Sequence, residues 1–336
     1  MKVCVFGAGA VGGHVAARLA VAGHADVSLV ARGAHLAAIQ ANGLTLRNNE
    51  GDSWNARIAQ ATDKPETLPP QDVVLVALKA CSLPAQAEAI GRLLAPDGVA
   101  VFLNNGIPWW WNQGSHGGEV IGSADGHLPL LDPDGALWKF VRPERALGVV
   151  INSPNEVQAP GVIYHQNKPR NRFIFGGGAR LGESQQSRLA QIAALFEKSG
   201  LPAPVSSDLR REIWHKLLVN AAGNPVSALT QLDTMARAHE PAVLQLCTSL
   251  AREIAEVAGA MGWPIEETLI EEAMNVGRHQ AMRPSMLQDA LLKRPMETEA
   301  LLGQPQLFAR ALGIRTPHID MVVTLIRGLD RANLQG

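Results

Sequence analysis

The chain has 336 residues, enough for about two domains with their own cores. Its 46% hydrophobic and 18% charged residues suit a globular protein, and a net charge of -1 leaves no electrostatic footprint for nucleic acid or an anionic membrane. No apolar run reaches the roughly 18 residues of a membrane span, and the opening Met1 to Phe6 runs into glycines rather than a signal-peptide core. A cytoplasmic location is the resulting expectation.

Lys2 to Phe6 reads as a short buried strand, followed by Gly7-Ala8-Gly9-Ala10-Val11-Gly12 and a helical pattern through Ala22. GxGxxG between a strand and a helix lets the turn be tight and lets a pyrophosphate approach the helix N-terminus. The next strand, Asp26 to Ala31, completes a βαβ unit and ends at Arg32. An acidic residue about there would suit a ribose 2'-hydroxyl, whereas an arginine suits a 2'-phosphate, so NADP(H) is expected over NAD.

A helix over Ala34 to Asn42 precedes short strands at Leu44 to Arg47 and Asn55 to Gln60, then a loop at Pro65 to Pro70. Asp72 to Leu78 is a buried strand ending at Lys79, and Val99 to Leu103 ends in Asn104-Asn105-Gly106. Ligands in an open α/β sheet sit beyond the carboxyl ends of the strands, so Lys79 and Asn105 are candidate cleft residues. Pro108 introduces Trp109, Trp110 and Trp111, which fit two roles equally, the wall of a cleft or packing against a domain face. Residues 112–145 are rich in Gly, Pro and Asp, with a short candidate strand at Glu119 to Gly122. Strands at Ala146 to Asn152, Gly161 to His165 and Phe173 to Gly176 suggest an antiparallel extension of the sheet, and Gln185 to Ser199 a helix.

From Asp208 the strand signal ends and helical periodicity takes over: Leu209 to Ala222, Ala242 to Met261, Ile265 to Gln280, Met286 to Lys293, Glu297 to Ala311 and His318 to Leu329. The fold class is therefore α/β, a Rossmann-type dinucleotide-binding N-terminal domain over residues 1–207 followed by an all-α domain over 208–336. On the first of these helices Lys216, Asn220 and Asn224 recur every four residues and form one polar ladder. A lysine and two short amides can orient a small polar molecule; the alternative is a solvated face ended by Pro225. Cys4, Cys81 and Cys247 show no metal or disulfide spacing and are expected to be buried thiols.

The glycine loop, Leu78-Lys79-Ala80, Asn105-Gly106, Glu212-Ile213-Trp214-His215-Lys216-Leu217 with Asn220 and Asn224-Pro225, Ser285 to Asp289, and Glu297 ahead of Gly303 together resemble the ketopantoate reductase (2-dehydropantoate 2-reductase) family. The markers run through nearly the whole chain in the family's order. The resemblance implies NADPH-dependent reduction of the C2 ketone of 2-dehydropantoate to (R)-pantoate. It further implies Lys216 as general acid, Glu297 as the acid that orients the site, and Asn220, Asn224, Ser285 and Asn105 as substrate holders. Gly7, Gly9, Ala10, Val11, Gly12, Arg32, Lys79 and Asn105 would hold the cofactor, with no metal required.

The segment Arg294-Pro295-Met296-Glu297-Thr298-Glu299 departs from the family's Arg-x-Thr-Glu-Ile-Asp, which leaves Glu299 as the alternative acid. The tryptophan run and segment 112–145 are not general family features. Reduction of another 2-keto acid, an opine-type dehydrogenase and a non-catalytic NADP sensor are the competing readings. The expected partner is a small 2-keto acid, with neither nucleic acid nor membrane, and the apolar helix surface allows a homodimer.

Overall fold

A computed structural model describes residues 1–115, 121–168 and 171–335. In chain order, β1 (Lys2–Phe6), α1 (Ala10–Ala22), β2 (Asp26–Val30) and α2 (Gly33–Asn42) form the opening βαβα unit. There follow β3 (Leu44–Asn48), β4 (Ser53–Ala56), β5 (Gln60–Thr62), β6 (Gln71–Val76), α3 (Ala87–Leu93), β7 (Leu94–Phe102), α4 (Ala136–Phe140) and β8 (Ala146–Asn152). The strand-bearing half closes with β9 (Asn155–Ala159), β10 (Val162–His165), β11 (Arg172–Gly176) and α5 (Glu183–Lys198).

The main sheet has the order β11-β8-β7-β6-β1-β2-β5 and is parallel except where β11 pairs with β8. Alternation along the strands feeds two apolar layers: Cys4, Phe6, Val74 and Val76 face one side, Val3, Val5, Val73 and Leu75 the other. The expected antiparallel extension is correct only for β11. Strand β8 enters after the long crossover from β7 and pairs parallel, as such a crossover permits. Strand β10 instead joins a second sheet, β4-β3-β10-β9, which packs on α1.

The single strand expected over Asn55 to Gln60 is two, one in each sheet, because a tight turn pulls β4 back onto β3. Asn48 Oδ1 accepts from the Glu50 and Asp52 N–H groups at 3.0 and 2.9 Å, and Gly51 takes φ +91°. Glu119 and Val120 of another expected strand lie outside the described residues, and Ile121 and Gly122 are irregular. Strand β6 stops at Val76, so Lys79 lies in the loop beyond it, and β2 stops at Val30, which makes Arg32 the residue capping α2. Cys81 is exposed, unlike Cys4 and Cys247, because it sits in a short 3-10 turn, Ala80–Ser82, that buries none of its residues.

The helical half consists of α6 (Leu209–Thr230), α7 (Thr234–His239), α8 (Pro241–Ala260), α9 (Glu267–Asn275), α10 (Ser285–Leu291), α11 (Gln304–Ala311) and α12 (Pro317–Gln335). Between α10 and α11, Glu299–Gly303 forms a π-helical turn. Helix α6 is the centre, contacting α8, α10 and α12. Its start is fixed by Asp208, whose carboxylate accepts the Arg211 N–H at 3.1 Å and the Trp263 indole N–H at 3.0 Å; a cap of this kind contributes about 1 kcal/mol.

This helix does not end at Ala222, as expected from Pro225, but continues to Thr230. An interior proline costs about 3 kcal/mol in an isolated helix. Here every residue from Ala221 to Ala228 is buried, and that packing offsets the cost.

Candidate active site

The cofactor end is built from backbone. Gly7 has φ +107° and gives its N–H to the Val30 carbonyl at 2.9 Å; a Cβ there would lie 2.9 Å from the Ala77 carbonyl. A Cβ on Gly12 would fall on the Gly7 carbonyl oxygen, so only glycine lets α1 begin so close to β1. Gly9 is different, since a Cβ there would meet nothing within 4 Å. It is the N-cap of α1, has no side chain to use the free N–H groups, and is followed by Ala10, Val11 and a first turn without acidic residues. The positive end of the helix is thus left open to an anion, which fits a pyrophosphate. Arg32, exposed at the start of α2, stands beside this loop at the end of the neighbouring strand.

The catalytic cleft is built from side chains across the two halves. It is lined by Asn104, Asn105 and Gly106 after β7, by Trp110, by Gly148 to Val150 of β8, and by Lys216 and Asn220 of α6. Lys216 donates to the Ile151 carbonyl at the end of β8, which uses one of its three N–H groups and fixes the stem. Burial penalises the charged form and brings the ammonium down to about 8, while the Glu297 carboxylate pulls in the opposite direction. An ammonium in this range can give up its proton close to neutral pH, which an ordinary lysine does not do.

Glu297, from the helical half, stands behind Asn105 of this cleft. Its Oε1 accepts the Ala80 N–H at 3.1 Å, and its Oε2 accepts Asn105 Nδ2 at 3.2 Å. Burial raises its pKa above the usual carboxylate range, and these two donors together with Lys79 work against that rise. Lys79 lies beside it, paired with Asp289 at 2.7 Å and donating to the Pro295 carbonyl at 2.8 Å.

The loop carrying Asn105 is held by the π-helical turn: Ile107 N–H donates to the Ala300 carbonyl at 2.8 Å. Gly106, at φ +86°, would put a Cβ onto the same carbonyl. Insertion of an extra residue into a helix often marks such a site, since it re-aims a backbone group. Glu299 points elsewhere, its carboxylate paired with Arg327 at 2.8 and 2.5 Å.

A family model described as "Ketopantoate reductase PanE/ApbA" matches residues 3–109, and its C-terminal counterpart matches 208–330. A 2-dehydropantoate 2-reductase from Mesorhizobium japonicum is 41% identical over 98% of both chains. The chain belongs to the ketopantoate reductase family.

Solved structures agree. A ketopantoate reductase of the PanE/ApbA family from Ralstonia eutropha superposes with a TM-score of 0.81 at 25% identity, covering 99% of both chains. A 2-dehydropantoate 2-reductase from Geobacter metallireducens gives 0.81 at 26% identity, covering 98% of this chain and 99% of its own. Family members are oxidoreductases that use a dinucleotide and act on a small keto acid.

For this family member, Lys216, Asn220 and Asn105 meet in one cleft, with Glu297 bonded to Asn105. Asn224 continues the ladder one turn on, but is buried within the helical half, and Ser285 is exposed at the first turn of α10, outside the cleft lining. Among the tryptophans only Trp110 lines the cleft. Trp109 packs against Phe102 and Trp138, and Trp111 against Trp214, Trp263 and Phe308. Sequence reasoning missed the Ile151 carbonyl and Asp289. A backbone acceptor leaves no sequence signal, whereas Asp289 stood in the quoted Ser285 to Asp289 motif.

Proposed function

We propose that the protein uses NADPH to reduce the C2 ketone of 2-dehydropantoate to (R)-pantoate, with Lys216 as the general acid. The observation carrying this reading is the desolvated Lys216 ammonium sharing a cleft with Asn105, which is bonded to Glu297. The nicotinamide, when bound, supplies the hydride to C2. Hydride addition places negative charge on the ketone oxygen. Lys216 stabilises that charge with an N–H not used by Ile151 and then transfers its proton to the oxygen, so the alcohol forms without a free alkoxide. Glu297 keeps Lys216 protonated by its charge and offers a carboxylate to a substrate hydroxyl, while Asn220, the member of the ladder beside Lys216 in the cleft, holds the remainder of the substrate.

The Gly7 to Gly12 loop, with Ala10 and Val11 at the helix start, carries the pyrophosphate, and Arg32 the 2'-phosphate. Lys79, paired here with Asp289, and Asn105 would line the nicotinamide side. Residues 1–207 form the cofactor domain and 208–336 the helical one; the Asp208 cap of α6 supports that division. The described residues hold no helix long and apolar enough to cross a membrane, in keeping with a cytoplasmic enzyme. Exposed Met321 and Leu325, one turn apart on α12, support a homodimer through the helical half.

The deciding experiment measures NADPH oxidation by purified wild type and Lys216→Ala with 2-dehydropantoate. Equal rates would overturn the mechanism, and a wild type inert with this substrate but active on another 2-keto acid would overturn the substrate.

A further inference from the structure

Trp109, Trp110 and Trp214 each bury an indole N–H that meets no hydrogen-bond acceptor among the described residues. A buried donor left unmet is costly, and each such group asks for an explanation. Trp109 stands edge-on to Phe102 and Trp138 at 5.5 and 6.2 Å, and Trp214 edge-on to Trp111 at 5.7 Å. Aromatic faces in such contacts accept N–H groups weakly. Trp110 has no aromatic neighbour of this kind among the described residues. It is also the one member of the three that lines the cleft with Lys216 and Asn220.

Its position is fixed rather than incidental. The benzo edge of Trp110 lies against Gly148 of β8, where a Cβ would come within 2.5 Å of Cζ2. The same strand, three residues on, supplies the Ile151 carbonyl that holds Lys216. Three residues of strand span about 10 Å, so β8 carries both the glycine that seats the Trp110 ring and the carbonyl that holds Lys216.

We propose that Trp110 is a specificity-determining residue whose indole N–H donates to an oxygen of the bound 2-keto acid, either its carboxylate or its hydroxyl. The inference rests on the reading of this cleft as the keto acid site. Trp110→Phe removes the N–H and keeps a ring, and Trp109→Phe is the control that removes an unmet indole outside the cleft. With 2-dehydropantoate, Trp110→Phe is expected to lose about tenfold in kcat/KM, carried by KM for the keto acid, with KM for NADPH unchanged. Trp109→Phe is expected to stay within twofold.

The substrate lacking only the hydroxyl, 3,3-dimethyl-2-oxobutanoate, separates the two oxygens. A loss on both substrates assigns the carboxylate, and a loss on 2-dehydropantoate alone assigns the hydroxyl. A wild type that reduces neither substrate removes the functional reading itself; an active wild type matched by Trp110→Phe removes only this inference. Wild-type protein with 15N-labelled indoles gives a second readout that needs no variant. Adding pantoate with NADP is expected to move one indole N–H resonance downfield, and unchanged indole resonances would overturn the proposal.

Discussion

The two ends of the cleft are made in different ways. The glycine loop is local and made of backbone, with Gly7, Gly9 and Gly12 within six residues of chain. The catalytic end is gathered from Asn105, Ile151, Lys216 and Glu297; the Asn105–Glu297 contact alone joins positions 192 apart. Steric room decides the first end, whereas burial shapes the second by lowering the pKa of Lys216 and raising that of Glu297. The two ends should therefore fail differently.

Lys216→Ala is the largest break, expected to lower kcat by about 10² to 10⁴ while leaving NADPH affinity within about twofold, read by steady-state rates and nucleotide fluorescence. The glycine loop should lose binding instead. Gly9→Ala has room in the fold, so its thermal midpoint is expected to match wild type while NADPH affinity falls by about tenfold or more. Gly12→Ala forces its Cβ onto the Gly7 carbonyl and should lower the midpoint as well; equal midpoints for the two variants would contradict the steric account.

Arg32→Asp is expected to weaken NADPH by about tenfold relative to NADH, through loss of a charge-assisted pair. Equal losses for both nucleotides would remove the 2'-phosphate assignment.

A smaller effect tests the support beneath the cofactor end. His14 of α1 and His165 of β10 stack at 4.1 Å, between Ser153, Asn155, Asn171, Phe173 and Arg18. Burial lowers the pKa of both below 6.5. A depressed histidine leaves stability intact above its unfolded value and costs stability as pH falls below it, because the unfolded chain binds the proton more readily. The thermal midpoint should fall below pH 6.5, and His165→Gln should shrink that fall by about 2 °C or more.

How much of this was legible in the sequence follows the same division. The strand, glycine turn and helix start could be read because their conformation depends on neighbours in the chain. Lys216, Asn220 and Asn224 could be read as a ladder because helical spacing is local, but whether that ladder faced water or a cleft was a tertiary matter. Pro225 misled, since local propensity ends a helix there and the packing of Ala221 to Ala228 does not. Glu297 and Glu299 were hard to separate by motif alone. The structure separates them by their partners, Asn105 and Ala80 for Glu297 and Arg327 for Glu299. The second sheet escaped notice because β3 and β10 pair across more than a hundred residues.

The coupling of Lys216 to Glu297 is the central claim, and the pH dependence of kcat for 2-dehydropantoate reduction tests it most directly. Reduction requires the protonated lysine, so the wild-type rate should decline as pH rises through about 8. Because Glu297 raises the lysine's affinity for its proton, Glu297→Gln should move that decline to lower pH. A wild-type rate that stays level well above pH 8, or an alkaline limb that Glu297→Gln leaves in place, would contradict it.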